Sequence, residues 1–238
     1  MQEKTRDAPK AWQVVLEHIE SGLIDGRFAP GDRLPAEREL AASLGVGRSS
    51  VREAMRVLEV LGLVRTGTGS GPAAGAIIVA TPQGGMAALL RLQVAAHGFP
   101  LHDVVKTRLM LETGVVETLA SLPDAPLGPA RDVLDAMERD DLSAGEFLAL
   151  DAQFHLCLAE ASGNVVVAAM MAGLRSSIES YVRAGAGRIA DWEATAAQLR
   201  AEHRGVLEAI ERGDEDDAHL RIREHITGYY AGAGLARV

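Results

Sequence analysis

A single cysteine, Cys157, stands in 238 residues. It excludes an intrachain disulfide framework and any thiolate-rich zinc site, and within an apolar helical stretch it reads as a small buried hydrophobe. Long hydrophobic runs are missing too. The opening MQEKTRDAPK holds no apolar signal core, and the longest apolar run, VVVAAMMAGL at 165–174, is too short to span a bilayer. The expectation is a soluble cytoplasmic protein without a membrane partner. An overall positive charge is also lacking: the formal net charge is −9, the wrong sign for attraction to phosphate. That total is unevenly spread. Residues 1–72 carry ten Lys/Arg and ten Asp/Glu, which leaves fourteen against twenty-three for residues 73–238. A neutral head on an acidic body could touch DNA with the head alone, since phosphate repels the body.

The length suits two ordinary domains, and 47% hydrophobic residues can fill their cores. Trp12, Val15, Leu16, Ile19 and Leu23 keep a helical rhythm that stops near Gly26, before the turn material APGDRLP at 29–35. Pro35 suits the start of a second helix, which Gly45 ends. Val51, Ala54, Met55, Leu58 and Leu61 then share one face of a third helix that stops at Gly62. The extended pieces LVRT (63–66) and AIIVA (76–80), separated by GTGSGPAAG, predict a β-hairpin, and TPQGG (81–85) reads as a linker. From Met86 onward there is no strand signal and no internal repeat. Helical patterns cover about 86–97, 101–121, 127–140, 143–162, 164–185, 191–212 and 214–231, broken by Gly and Pro. The fold class is mainly α: an N-terminal winged helix-turn-helix with a small β-hairpin (1–80), the linker (81–85) and an all-α antiparallel bundle (86–238).

In the head, the tight turn GVG at 45–47 and a helix opening RSSVREAM make a helix-turn-helix, whose second helix enters the major groove. Ser49 and Ser50 are short enough to allow close approach and can bind phosphate, while Arg48 and Arg52 project long donor forks from one face. Arg38 on the preceding helix could grip the sugar-phosphate backbone, and RTGTGSG, with Gly67 and Gly69, could lie in an adjacent groove as the wing. The blander alternative pairs Arg38, Arg52 and Arg56 with Glu37, Glu53 or Glu59 on solvated faces, and for Arg56 that alternative is preferred. A dinucleotide-binding loop at GTGSG is rejected because Pro72 and a second extended run follow it, not a helix.

In the body, FLALDAQFHLCLAEASGN (147–164) places Asp151 and His155 on the same helical face as Leu148 and Leu158. A buried carboxylate and imidazole must be paired, hydrogen-bonded or bound to metal, because leaving them alone costs several kcal/mol. A mutual i, i+4 contact is the plain reading of those two residues by themselves. His203 and His225 alter the balance. They lie ten residues before Gly213 and eleven after Asp214, and GD reads as the turn of an antiparallel helix pair, so both imidazoles stand roughly 15–17 Å from that turn at one height. One Asp and three His from three helices suit a divalent ion, zinc first and nickel or manganese as alternates, and are too nitrogen-rich for calcium or magnesium. Such an ion can leave coordination positions for water or for the carboxylate of a small organic acid. Arg108 in KTRLMLE is a candidate second hold on that acid, against an ordinary i, i+4 bridge to Glu112. His18, His97, His102 and His219 read as surface or loop histidines.

Residues 11–71, above all PGDRLPAERELAASLGVGRSSVREAMRVLEVLGLVRTGTGSG, resemble the DNA-binding head of the GntR family of bacterial transcriptional regulators. The helical remainder resembles the FadR subfamily with its ligand-sensing FCD domain. Ala36 and Gly47 stand where the family commonly has Ser or Thr, and PAAGA lengthens the wing. The resemblance implies a homodimer, probing a palindromic operator with Arg38, Arg48, Ser49, Ser50, Arg52 and the wing glycines. In the metal-binding branch it also implies a divalent ion on Asp151, His155, His203 and His225. The resulting expectation is a metabolite-responsive regulator, a repressor in its default role, and not an enzyme. Its alternatives are a metalloenzyme acting on a small organic acid and a DNA-architectural protein with a structural metal. Against the metalloenzyme, no general base comparable to that of a His-Glu-x-x-His motif and no nucleophile elbow accompany the ligands.

Overall fold

The structure is a computed structural model and describes residues 9–67, 75–80, 82–96, 98–186 and 191–232. It divides into two compact units, Met1–Gly85 and Met86–Val238, each with its own hydrophobic core. Among the described residues no helix is long and apolar enough to cross a membrane.

In the first unit, α1 (Ala11–Ile24), α2 (Glu37–Leu44) and α3 (Arg48–Val60) precede an antiparallel hairpin of β1 (Val64–Gly67) and β2 (Gly75–Ile78). Val15, Ile19, Leu40, Val51, Ala54, Leu58, Val64 and Ile78 fill the core. These are the positions whose spacing marks one apolar face on each helix. The turn between α2 and α3 depends on Gly45, held at φ +67°, where a Cβ would meet the following carbonyl. Ala36 cannot cap α2 with a side chain, but Glu39 Oε2 accepts from the Ala36 amide at 3.3 Å, which supplies half of a capping box. The segment 29–35 does more than turn: Leu34 N–H donates to Ala76 O and Ile78 N–H to Asp32 O, each at 2.9 Å. It thereby adds a short third edge to the hairpin, a tertiary pairing that no local pattern announces.

α4 (Pro82–Ala95) begins before the boundary and leads into the second unit, whose other elements among the described residues are the helices α5 (Leu101–Ala120), α6 (Gly128–Met137), α7 (Ala144–Ala161), α8 (Val165–Ala186), α9 (Trp192–Glu211) and α10 (Glu215–Gly232). Pro82–Gly85, expected within a linker, form the first turn of α4. Proline's fixed φ and missing N–H fit a first helical turn as well as they fit a loop. Local chemistry sets the helix ends. Ser143 and Glu146 form a reciprocal capping box at α7, Asn164 Oδ1 accepts from the Val166 and Val167 amides at α8, and Asp191 caps α9 through Ala194. The core runs from Val104 and Leu119 through Phe147, Phe154 and Leu158 to Ile210, Ile222 and Tyr230.

Leu119 on α5 is fully buried in this core. Leu119→Ala is expected to destabilise the body by about 2–5 kcal/mol through lost burial and a residual cavity, as read by denaturant unfolding of the helical signal.

Candidate functional site

α7, α9 and α10 bring four ionisable side chains to one point in the helical body. Asp151 and His155 sit one turn apart on α7, on the side that also buries Phe147, Leu148 and Leu158. α9 turns into α10 through Gly213 at φ +69°, which sets the two helices antiparallel. The rings of His203 and His225 are then 4.5 Å apart. One ligand-capable atom from each of Asp151, His155, His203 and His225 lies within 4.8 Å of all the others, and all four residues are buried.

Two further carboxylates orient this cluster. Glu112 Oε2 on α5 lies 2.5 Å from His155 Nδ1, and Glu202 Oε2 on α9 lies 2.8 Å from His225 Nδ1. A carboxylate beside Nδ1 favours the ring proton on that nitrogen, which leaves the lone pair on Nε2. Burial pushes both histidines below their ordinary pKa, His225 to about 4 with His203 adding to the effect, so both are neutral at pH 7. Their Nε2 atoms nevertheless face each other at 3.1 Å. With the protons on Nδ1, two lone pairs meet there, an arrangement that a Lewis acid between them turns from repulsive to attractive. His203 Nε2 lies 3.3 Å from Asp151 Oδ1, yet neither ring nitrogen of His203 has a hydrogen bond. Burial pushes the Asp151 carboxyl up, but its contacts with His203 and the other two imidazoles outweigh this and hold it ionised. Separations of 3.1, 3.3 and 4.0 Å among these atoms suit one ion with bonds of about 2 Å. The residues therefore fit a divalent metal: three imidazole nitrogens, one anionic oxygen and two outer carboxylates.

Arg108 is buried and bonds Glu112 through its Nε, so the i, i+4 bridge that competed with an effector role is present. Burial works against both charges, but each holds the other ionised, and Glu112 is lowered to about 2. Glu112 thus links Arg108 to His155. Tyr230 on α10 is fully buried, with its hydroxyl beside the Arg108 guanidinium. Glu112, Glu202 and Tyr230 are the residues that sequence reasoning did not select. Glu112 was visible only as a helix partner of Arg108, and the position of Glu202 beside His203 carries no spacing signal. Tyr230 looks like any core aromatic.

In the first unit, Arg48 and Ser49 are exposed and Ser50 half-buried at the first turn of α3, and Arg38 is exposed on α2. Arg52 projects from the same side but is bonded through Nε to Glu37 at 3.1 Å, as the blander alternative has it. Gly67 ends β1; Gly69 lies outside the described residues, as does His97. His102 is exposed and His18 packs edge-on against Phe28. His219 is only half-exposed, its Nδ1 2.5 Å from Glu117 Oε1 on α5, so it bridges two helices and is not a loop residue.

Compared with known families, residues 12–72 match the bacterial regulatory proteins of the gntR family and residues 103–228 match the FCD domain. The chain belongs to the GntR family. Its FCD domain fits the FadR subfamily, whose members are DNA-binding transcriptional regulators and not enzymes. This GntR-family regulator is 29% identical to the HTH-type transcriptional repressor NanR of Cronobacter sakazakii over 93% of its own length and 85% of that protein's. It is 27% identical to the putative L-lactate dehydrogenase operon regulatory protein of Escherichia coli, covering 90% and 82% of the two chains. Among solved structures it resembles Streptococcus agalactiae GntR, with a TM-score of 0.55 and 25% identity over 92% of this regulator and 98% of that chain.

Removing the Glu112 carboxylate would strand Arg108 as a buried cation. Glu112→Ala is therefore expected to destabilise the FCD domain by about 3–5 kcal/mol, measured by denaturant unfolding at pH 7; a loss under 1 kcal/mol would show that the pair is not desolvated as described.

Proposed function

We propose that this regulator is a metabolite-responsive repressor that binds a palindromic operator as a homodimer, and that it senses a small carboxylate at a divalent ion on Asp151, His155, His203 and His225. The observation that carries the metal is the pair of Nε2 atoms of His155 and His225, facing each other at 3.1 Å with their protons drawn away by Glu112 and Glu202. Zinc suits this donor set first, nickel or manganese next. In this reading residues 1–80 are the DNA-binding head, 81–85 join it to the body, and 86–238 form the effector-binding and dimerisation domain. Work on DNA places such a protein in the cytoplasm.

The ion would supply Lewis acidity toward an incoming carboxylate. The chain's own groups supply the rest. Arg108 offers guanidinium nitrogens beyond the Nε it gives to Glu112, and the Tyr230 hydroxyl beside it can donate to the acid's second oxygen. A relative named for an L-lactate dehydrogenase operon supports a small acid as the effector class, and one named as a repressor supports that role. Sensing requires that the acid bind the DNA-competent and DNA-incompetent states unequally, because equal binding shifts no equilibrium. On the DNA, Arg48, Ser49, Ser50 and Arg52 would face the groove. Arg52 would share or leave Glu37, Arg38 would hold the backbone, and the wing with Gly67 and Gly69 would lie alongside.

His203→Ala removes one nitrogen ligand while Glu112 and Glu202 keep their contacts with His155 and His225. It is expected to lower bound zinc at least tenfold by elemental analysis after dialysis, and a full metal complement in that variant would refute the centre. Arg48→Ala is expected to weaken specific duplex binding by about 1–3 kcal/mol while the helical body melts unchanged. Operator affinity equal to wild type would remove Arg48 from the interface.

A further inference from the structure

The recognition helix α3 carries an acid where an acid should hinder. At 100° per residue Arg48, Arg52 and Glu59 fall within an arc of about 40°, and all three are exposed. A carboxylate on the arginine stripe of a DNA-reading helix repels the phosphates that the arginines attract. Sequence reasoning offers Glu59 as a surface partner for Arg56, which would leave it without a task on DNA. The structure spends it differently. A single oxygen, Glu59 Oε1, accepts the Thr66 amide at 3.0 Å and the Thr66 hydroxyl at 2.5 Å. These bonds hold its carboxyl below the usual range, so it stays ionised.

Thr66 lies on β1, paired with Ala76 of β2 and one residue before Gly67, where the strand ends. Its amide points to the outer edge of the hairpin, where Glu59 meets it. The chain between them passes through Gly62 at φ +72°, and Leu63 N–H returns to Leu58 O at 2.9 Å. Backbone bonds thus close the turn, while Glu59 fixes the strand beyond it. The segment 29–35 braces β2 and Glu59 braces the outer edge of β1, and any freedom that strand keeps must be given up when it docks.

We propose that Glu59 is a positioning residue for DNA binding: it ties the first strand of the wing to the last turn of the recognition helix, so that arginines and wing meet the duplex as one preorganised unit. The inference rests on the hairpin serving as a wing. It predicts a sign opposite to simple electrostatics, under which deletion of an anion beside phosphate tightens binding.

The test uses the full-length protein and a duplex selected by the wild type from a randomised pool of about 30 base pairs, with affinity read by fluorescence anisotropy and groove contacts by hydroxyl-radical footprinting. Glu59→Ala is expected to weaken binding about fivefold, the scale of one lost hydrogen bond. Glu59→Gln, which removes the charge but keeps an acceptor oxygen, should restore wild-type affinity or better. Thr66→Val, which keeps the amide but loses the hydroxyl, should fall between, and adding it to Glu59→Ala should have no further effect. Binding by Glu59→Ala as tight as wild type, or a loss in Glu59→Gln equal to that in Glu59→Ala, would overturn the clamp. A wild-type footprint confined to the groove under α3 would remove the wing reading itself, and the clamp with it. A wing footprint that persists unchanged in Glu59→Ala would overturn the clamp alone.

Discussion

Burying charge without leaving it unbalanced is the constraint around which the helical body is organised. Asp151, His155, His203, His225, Arg108 and Glu112 all lie in its interior, and each would oppose folding by several kcal/mol if left without a partner. Arg108 and Glu112 neutralise one another. Glu112 then uses its other oxygen on His155, and Glu202 approaches His225 from the partly solvated side. What these pairings leave is directional: lone pairs on Nε2 and an anionic oxygen on Asp151, aimed at a common point. The outer carboxylates thus act on both stability and chemistry, since the same contacts that compensate burial also choose the tautomers that make a ligand set.

The head follows a different economy. Its core is wholly apolar, and its charged groups remain at the surface, where exchange between an internal partner and a phosphate costs little. Arg52 on Glu37 is such an exchangeable contact. The acidic excess is carried by the rest of the chain, so attraction to DNA is a property of a small basic surface and not of the molecule's net charge. The body differs in placing a cluster of charged and imidazole side chains inside its otherwise apolar core.

Much of the fold was legible because its signals are local. Gly45, Gly62, Gly163 and Gly213 all adopt positive φ and mark the turns that composition already suggested, and Ser143, Asn164 and Asp191 cap the helices they precede. The convergence of His203 and His225 was legible for a geometric reason, since equal distances from one turn place two residues side by side. Glu112, Glu202 and Tyr230 were not legible, because their parts in the site come from helix-to-helix placement that no periodicity encodes. Pro82–Gly85 are helical for the converse reason: residues that break a helix in its interior are well suited to its first turn.

The one-dimensional pattern determined the helices, the hairpin, the head and body, and the four donors that share a site, because each follows from spacing along a chain of known pitch. Only the tertiary structure decided which carboxylates face those donors, that Arg108 is engaged with Glu112, and that Glu59 serves the hairpin and not a neighbouring arginine. Tautomer, pairing and clamp depend on distances between elements far apart in sequence, and those distances are set by packing, which exists only once the whole domain has folded.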